Sequence, residues 1–171
     1  MNRSTGFIHR KIDFAADKEY VLERHCRINF ECETPWVRKN GYEAYRDEWF
    51  SMQSQVEGFY EYLKNTASDE RTIAEIIEDK NGDTIGYLWV PFYVIGESGF
   101  CFAEVKDIYI EEPYRKLGIA TKLLAYAEET AIANNANAIR SGTGGDNSKS
   151  IGLHNKLGYH CVRYEFEKNL K

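Results

Sequence analysis

Residues 105–124 read VKDIYIEEPYRKLGIATKLL, and this stretch decides how the rest of the chain is arranged. Its first part patterns as a strand, with Val105, Ile108 and Ile110 set among Lys106, Asp107 and Tyr109. A polar turn, Glu111-Glu112-Pro113-Tyr114, follows, and the pattern predicts a helix beginning near Leu117. On that helix Ala120, Leu123, Leu124, Ala127 and Ala131 recur at three- and four-residue steps, forming one apolar stripe. Between strand and helix lies Arg115-Lys116-Leu117-Gly118-Ile119-Ala120. The first turn of a helix leaves backbone N–H groups without partners and carries partial positive charge. Gly118 and Ala120 keep side-chain bulk away from those groups, so a phosphate can approach the backbone closely. Arg115 and Lys116 add formal charge, and arginine can grip a phosphate through two parallel hydrogen bonds. The run reads as an anion site, although the same residues also suit an ordinary basic helix start.

Upstream of this stretch, residues 71–78 and 84–93 are strand-like on either side of Asn81-Gly82, a strong hairpin signal. Gly96-Glu97-Ser98-Gly99 then turns the chain into a strand over 100–110. Nearer the N-terminus, Phe7, Ile8, Ile12 and Phe14 mark a first strand over 7–14. Asp13 or Asp17 is expected to cap a helix over 18–30. Glu33-Thr34-Pro35-Trp36 breaks that helix, and Asn40-Gly41 marks a turn. A longer helix reaches about Asn65, with Tyr42, Tyr45, Trp49, Met52, Val56, Phe59 and Leu63 stepping by three or four. Most of that aromatic stripe is expected to pack on the sheet.

Downstream, residues 137–140 form a short strand, a glycine-rich link over 142–147 leads to a last helix, and 159–166 alternates as a final strand. The link is not a nucleotide loop. A P-loop requires glycine before Lys149, where Ser148 stands, and Gly142-x-Gly144-x-x-Asn147 lacks the third glycine of a dinucleotide fingerprint.

The 171 residues suffice for a single domain with a proper core, and a 43% hydrophobic and 29% charged composition is ordinary for a globular protein. The first residues, MNRSTGFIHRK, have no apolar run of the signal-peptide kind, and no stretch is long enough to span a bilayer. Cys26, Cys32, Cys101 and Cys161 show neither CxxC pairing nor zinc-type spacing, so no metal is expected and reduced thiols in a cytoplasm are. A net charge of −5 argues against a nucleic-acid partner and is compatible with a cationic one such as an amine.

The stretch 105–124 resembles the acetyl-CoA-binding segment of the GNAT superfamily of N-acetyltransferases. That segment is a strand ending in an apolar residue, a short turn, and Q/R-x-x-G-x-G/A opening a helix. Ile110, Arg115, Gly118 and Ala120 fall in place. Residues 147–159, NSKSIGLHNKLGY, are similar to a second family segment, N-x-x-A-x-x-L-Y-x-K-x-G-F. Together the two cover roughly residues 72–168, while the N-terminal part matches only in its order of elements.

The resemblance implies one α/β domain over 1–171, with a central, mostly antiparallel twisted sheet and helices on both faces. It implies acetyl transfer from acetyl-CoA to a primary amine by direct attack. A bulge in the central strand would splay it from the next parallel strand, and the pantetheine arm would bond to the exposed backbone at Ile108, Tyr109 and Ile110. The pyrophosphate would lie on Arg115, Lys116, Leu117, Gly118, Ile119, Ala120 and Thr121, with Asn147 and Lys156 of the second segment also on the cofactor side. A backbone N–H of the strand would polarise the thioester carbonyl. No metal takes part.

The departures from the family pattern also carry information. The acid that protonates the leaving thiolate is commonly a tyrosine, but its position here is His154, a residue type that can donate a proton near neutral pH. Glu104 or Asp107 on the strand is the candidate base, though alternation puts the two on opposite faces unless the bulge intervenes. Trp36, Tyr42 and Tyr45 would border the acceptor. The competing reading is a GNAT-fold module that holds CoA for regulation or assembly without turnover, and His154 in place of tyrosine keeps it open. Homodimers are common among such proteins.

Overall fold

The computed structural model describes residues 6–168 and 170. The first strand, β1 (Phe7–Lys11), leads into helix α1 (Lys18–Cys32), a short α2 (Pro35–Arg38), α3 (Gly41–Ser51) and α4 (Gln53–Thr66). Four strands follow with tight turns: β2 (Ile73–Asp79), β3 (Thr84–Val90), β4 (Phe92–Ile95) and β5 (Phe100–Val105). Then come β6 (Asp107–Ile110), α5 (Ile119–Ala133), β7 (Ala138–Ser141) and α6 (Ser148–Lys156).

The strands form two hydrogen-bonded groups, β1-β2-β3-β6 and β4-β5-β7, antiparallel throughout except for the parallel pair β5–β7. Helices cover both faces. On one, α5 lays Ile119, Leu123, Leu124, Ala127 and Ala131 against Ile77, Leu88, Val90, Ala103 and Val105, with Leu153 of α6 and Leu157 just past its end at the margin. On the other, Val21, Leu22 and Cys26 of α1, Trp49 of α3, and Val56, Tyr60 and Leu63 of α4 pack on Ile76, Tyr87, Trp89 and Tyr109. Of the apolar stripe predicted for α5, Leu123, Leu124, Ala127 and Ala131 are buried, while Ala120 is half-buried and Ile119 takes the buried place beside it.

Two strands that read as continuous are each interrupted, and the interruptions face each other. Residues 84–93 break at Pro91, whose ring removes a ladder donor. Residues 100–110 break at Lys106. Asp107 pairs with Trp89 in register, yet the Lys106 N–H also donates to the Trp89 carbonyl at 3.0 Å. Two residues thus oppose one, which is a β-bulge. The pairs Phe92↔Ala103 and Trp89↔Asp107 confirm it, because three steps on one strand span four on the other.

Other expectations need correction. Residues 159–166 do not form a strand: 159–168 carry no regular element, and Val162, Tyr164 and Phe166 are 76%, 75% and 90% exposed. Alternation makes a segment fit for a sheet edge but does not supply the partner ladder, and β7 bonds only to β5 among the described residues. The helix expected from 41 to 65 is two helices parted at Met52 (φ −83°, ψ 65°). No glycine or proline marks that break, so periodicity reads straight through it. The first strand stops at Lys11 rather than Phe14 because Asp13 Oδ1 accepts from the Ala15 and Ala16 N–H groups, a local turn. Asp17 does occupy the N-cap position of α1, but its carboxylate makes no cap bond. It grips Arg10 through two contacts at 2.6 and 2.9 Å, and this pairing holds its carboxyl below the usual range.

Candidate functional site

The bulge at Lys106 separates two regimes of the same strand. Before it, β5 is bonded on both sides, to β4 and in parallel to β7 as far as Val105↔Ser141. After it, β6 bonds only to β3, and among the described residues no strand lies along its other side. The direction of the free groups follows from one bond, Glu111 N–H to Ile85 carbonyl at 2.8 Å. In an antiparallel pair every second residue bonds across. Asp107 and Tyr109 therefore bond toward β3, while the N–H and C=O groups of Ile108 and Ile110 point away from it. The two sheet halves open between β6 and β7, and those groups border the opening.

At the far end of β6 the chain makes the turn into α5. Arg115 does not project outward: its Nε donates to the Ile110 carbonyl at 2.8 Å, and its guanidinium lies 5.2 Å from the Tyr109 ring centroid. It thereby fixes where the strand ends. Lys116 (φ 62°) and Gly118 (φ 79°) are both left-handed, which costs little at glycine and more at lysine. The first bond into α5 is Lys122 N–H to Gly118 carbonyl at 3.1 Å, so the N–H groups of Ile119, Ala120 and Thr121 precede the helical ladder. A Cβ at Gly118 would meet nothing within 4 Å. The turn thus presents the backbone donors of Ile119, Ala120 and Thr121 behind exposed Lys116, Leu117 and Gly118, while the Ile119 side chain is buried, and the helix starts two residues later than the sequence suggested.

The second segment packs at the margin of the same core through Leu153 and Leu157. Asn147 caps α6, its side chain accepting from the Ser150 N–H at 3.2 Å, and Lys156 is exposed. The His154 ring has Nδ1 2.8 Å from the Ser150 carbonyl, so Nδ1 carries the proton and donates it. Its Nε2 is buried and has no hydrogen-bond partner among the described residues. The 142–147 link docks on α1, where a Cβ on Gly144 would sit 2.3 Å from the Cys32 carbonyl oxygen.

The bulge resolves the parity conflict between the candidate bases. Ala103 and Val105 face α5, so Glu104 faces the α1–α4 side. Tyr109 faces the α1–α4 side, and so does Asp107 two residues before it. The extra residue puts both carboxylates on one face. Glu104 pairs with Lys106 at 3.0 Å. Asp107 is 3% exposed and accepts from the Tyr87 hydroxyl and from His25 Nδ1, the latter at 2.8 Å. Burial and then the Asp107 carboxylate push the Tyr87 phenol well above its usual range, so it stays protonated and donates.

The three aromatic residues read as acceptor contacts are not gathered there. Tyr42 and Tyr45 both pack on Phe30, at 5.4 Å between centroids, within the α1–α3 contact. Tyr42 also donates to Glu23 at 2.8 Å, and the Tyr45 phenol is pushed up to about 12, chiefly by burial. Trp36 is 58% exposed on α2 with the Lys39 ammonium 3.9 Å over its ring. Tyr45→Ala should therefore lower stability by about 1–2 kcal/mol, less than a fully buried aromatic because the ring is only half-buried. Chemical denaturation would measure it; an unchanged midpoint with a raised acceptor KM would instead make Tyr45 a substrate contact. What the sequence did not single out is His25, Asn29 and Phe59, which meet around Asp107. No motif marks them, since they come from two helices without a sequence signature.

The profile of the acetyltransferase (GNAT) family matches residues 36–159, and the chain belongs to that family. Solved structures with the same fold include a predicted acetyltransferase from Clostridium acetobutylicum with acetyl-CoA, 18% identical with a TM-score of 0.66 over 96% of this chain and 97% of that one. They also include an aminoglycoside 6'-N-acetyltransferase from Acinetobacter baumannii, 18% identical, TM-score 0.62, covering 97% of this chain and 100% of that one. A third is glucosamine-6-phosphate N-acetyltransferase from Arabidopsis thaliana, 11% identical, TM-score 0.61, covering 97% and 99%. No curated protein matches the sequence.

Proposed function

We propose that the chain is an N-acetyltransferase that moves the acetyl group of acetyl-CoA to a primary amine by direct attack. The observation that carries this reading is the opening beside β6, where the Ile108 N–H and C=O and the Ile110 N–H turn away from β3 and the α5 turn presents backbone donors. The residues present fit acetyl-CoA: Gly118 leaves open space at the turn, and His154 Nε2 lacks a partner among the described residues. When bound, acetyl-CoA supplies an activated thioester.

The chain's own groups divide the remaining work. Ile108, Tyr109 and Ile110 offer the edge along which an extended arm pairs as an added strand, with an outward N–H available to a carbonyl oxygen. Lys116, Leu117, Gly118, Ile119, Ala120 and Thr121 hold phosphate by backbone donors, while Arg115 braces the strand end. Asn147 fixes the start of α6, which carries His154 as the proton donor to the departing sulfur. Lys156 adds positive charge nearby on that helix. Glu104 and Asp107 mark the opposite, acceptor-side face, and the amine reaches the thioester from there.

The test is release of free thiol from acetyl-CoA with spermidine, kanamycin, glucosamine 6-phosphate and an α-amino tripeptide in turn. Turnover of any one supports the reading. Tight acetyl-CoA binding without turnover would favour the holding module.

A further inference from the structure

The face of β6 turned toward the helices carries Asp107, and the polar side chains that meet it from α1 lie outside both family segments. His25, on α1, places Nδ1 2.8 Å from Asp107 Oδ2. A carboxylate takes the ring proton at Nδ1, so in the neutral ring Nε2 keeps its lone pair. That lone pair is turned to a polar neighbour, the Asn29 side-chain amide at 3.0 Å, one helical turn along α1. The ring is clamped flat against Phe59 of α4, with centroids 3.5 Å apart and planes 11° off parallel. Trp49 of α3 closes another side at 5.9 Å. β6 contributes the Asp107 carboxylate, and β3 contributes the Tyr87 hydroxyl behind it.

We propose that His25 is the group that accepts the amine proton, with Asp107 as the residue that positions it. The inference rests on the acetyltransferase reading above. Asp107 is buried and its Oδ2 accepts from both Tyr87 and His25, so it is placed to act through the imidazole rather than on the amine. It stands first after the bulge, beside the backbone that borders the opening. The amine displaces the Asn29 amide from Nε2, one N–H donor exchanging for another. As the nitrogen bonds to the acetyl carbon, its proton passes to Nε2, and the Asp107 carboxylate stabilises the imidazolium. The C–S bond breaks, and the sulfur takes a proton from His154. Solvent then restores both histidines, so the products are the amide and free thiol.

The rival role is a purely structural tie between α1 and β6, and the two differ in their pH dependence. A base works only when unprotonated, so kcat falls as pH falls through its titration. Using whichever of the four amines is turned over, His25→Gln should lower kcat by roughly 10²–10³-fold, remove the acid limb of the profile, and leave the acetyl-CoA KM within about threefold. Asp107→Asn, close in shape, should move the acid limb to lower pH, because the imidazolium loses its carboxylate. His25→Gln turning over within twofold of the parent, with the acid limb in place, would overturn the proposal while leaving the acetyltransferase reading intact. Loss of the folded state in both variants would overturn it in favour of the structural tie. An unmodified protein that turns over none of the four amines would remove the acetyltransferase reading and this one with it.

Discussion

Replacing His154 by Phe should lower kcat by roughly 10²–10⁴-fold, the usual worth of a positioned acid, with the melting temperature little changed. The ring is held from one side by the Nδ1–H donated to the Ser150 carbonyl at 2.8 Å, so the proton that can be delivered is the second one of the imidazolium, on Nε2. That atom is buried and without a partner among the described residues, on a ring whose edge meets Tyr159 at 5.1 Å. Phe keeps the ring packing and deletes the donor. The sign of the pH effect follows: an acid works only when protonated, so kcat should fall as pH rises through its titration. His154→Tyr should move this alkaline limb upward, toward the ordinary phenol value of about 10. Turnover by His154→Phe within twofold of the parent, with an unmoved alkaline limb, would show that the sulfur leaves without help from this residue.

Gly118→Val should weaken acetyl-CoA binding by at least tenfold, which is about 1.4 kcal/mol. Gly118 is left-handed at φ 79°, a conformation that a β-branched residue adopts only with strain. The protein itself puts nothing within 4 Å of a Cβ there, so the loss would not come from a clash inside the fold. It would come from reshaping the turn that aims the N–H groups of Ile119, Ala120 and Thr121. Gly118→Asn separates the two causes, since asparagine tolerates the left-handed region and should preserve much of the affinity. Calorimetry with acetyl-CoA reads both variants, and unchanged affinity in folded Gly118→Val would detach the turn from the cofactor.

The α5 turn and stripe were legible because glycine spacing and a 3.6-residue period are local properties, and the structure buries Leu123, Leu124 and Ala127 completely. The hairpin at Asn81-Gly82 was legible for the same reason. The bulge was expected only through the family resemblance: nothing in Glu104-Val105-Lys106 itself announces an extra residue, because a bulge is a relation between two strands. The Met52 break likewise carries no glycine or proline to announce it, and the tail over 159–166 alternates without finding a ladder. His25 is the clearest omission. A single histidine on an amphipathic helix carries no spacing signal, and only the approach of α1 to β6 gives it Asp107 as a partner.

Amide hydrogen exchange of the protein with and without saturating acetyl-CoA tests the central claim most directly, because it reports on individual backbone groups. The account predicts added protection at Ile108 and Ile110 and across Gly118, Ile119, Ala120 and Thr121, with little change at Tyr109, whose N–H already bonds to β3. Saturable binding that leaves Ile108, Ile110 and the α5 turn exchanging as before would contradict it.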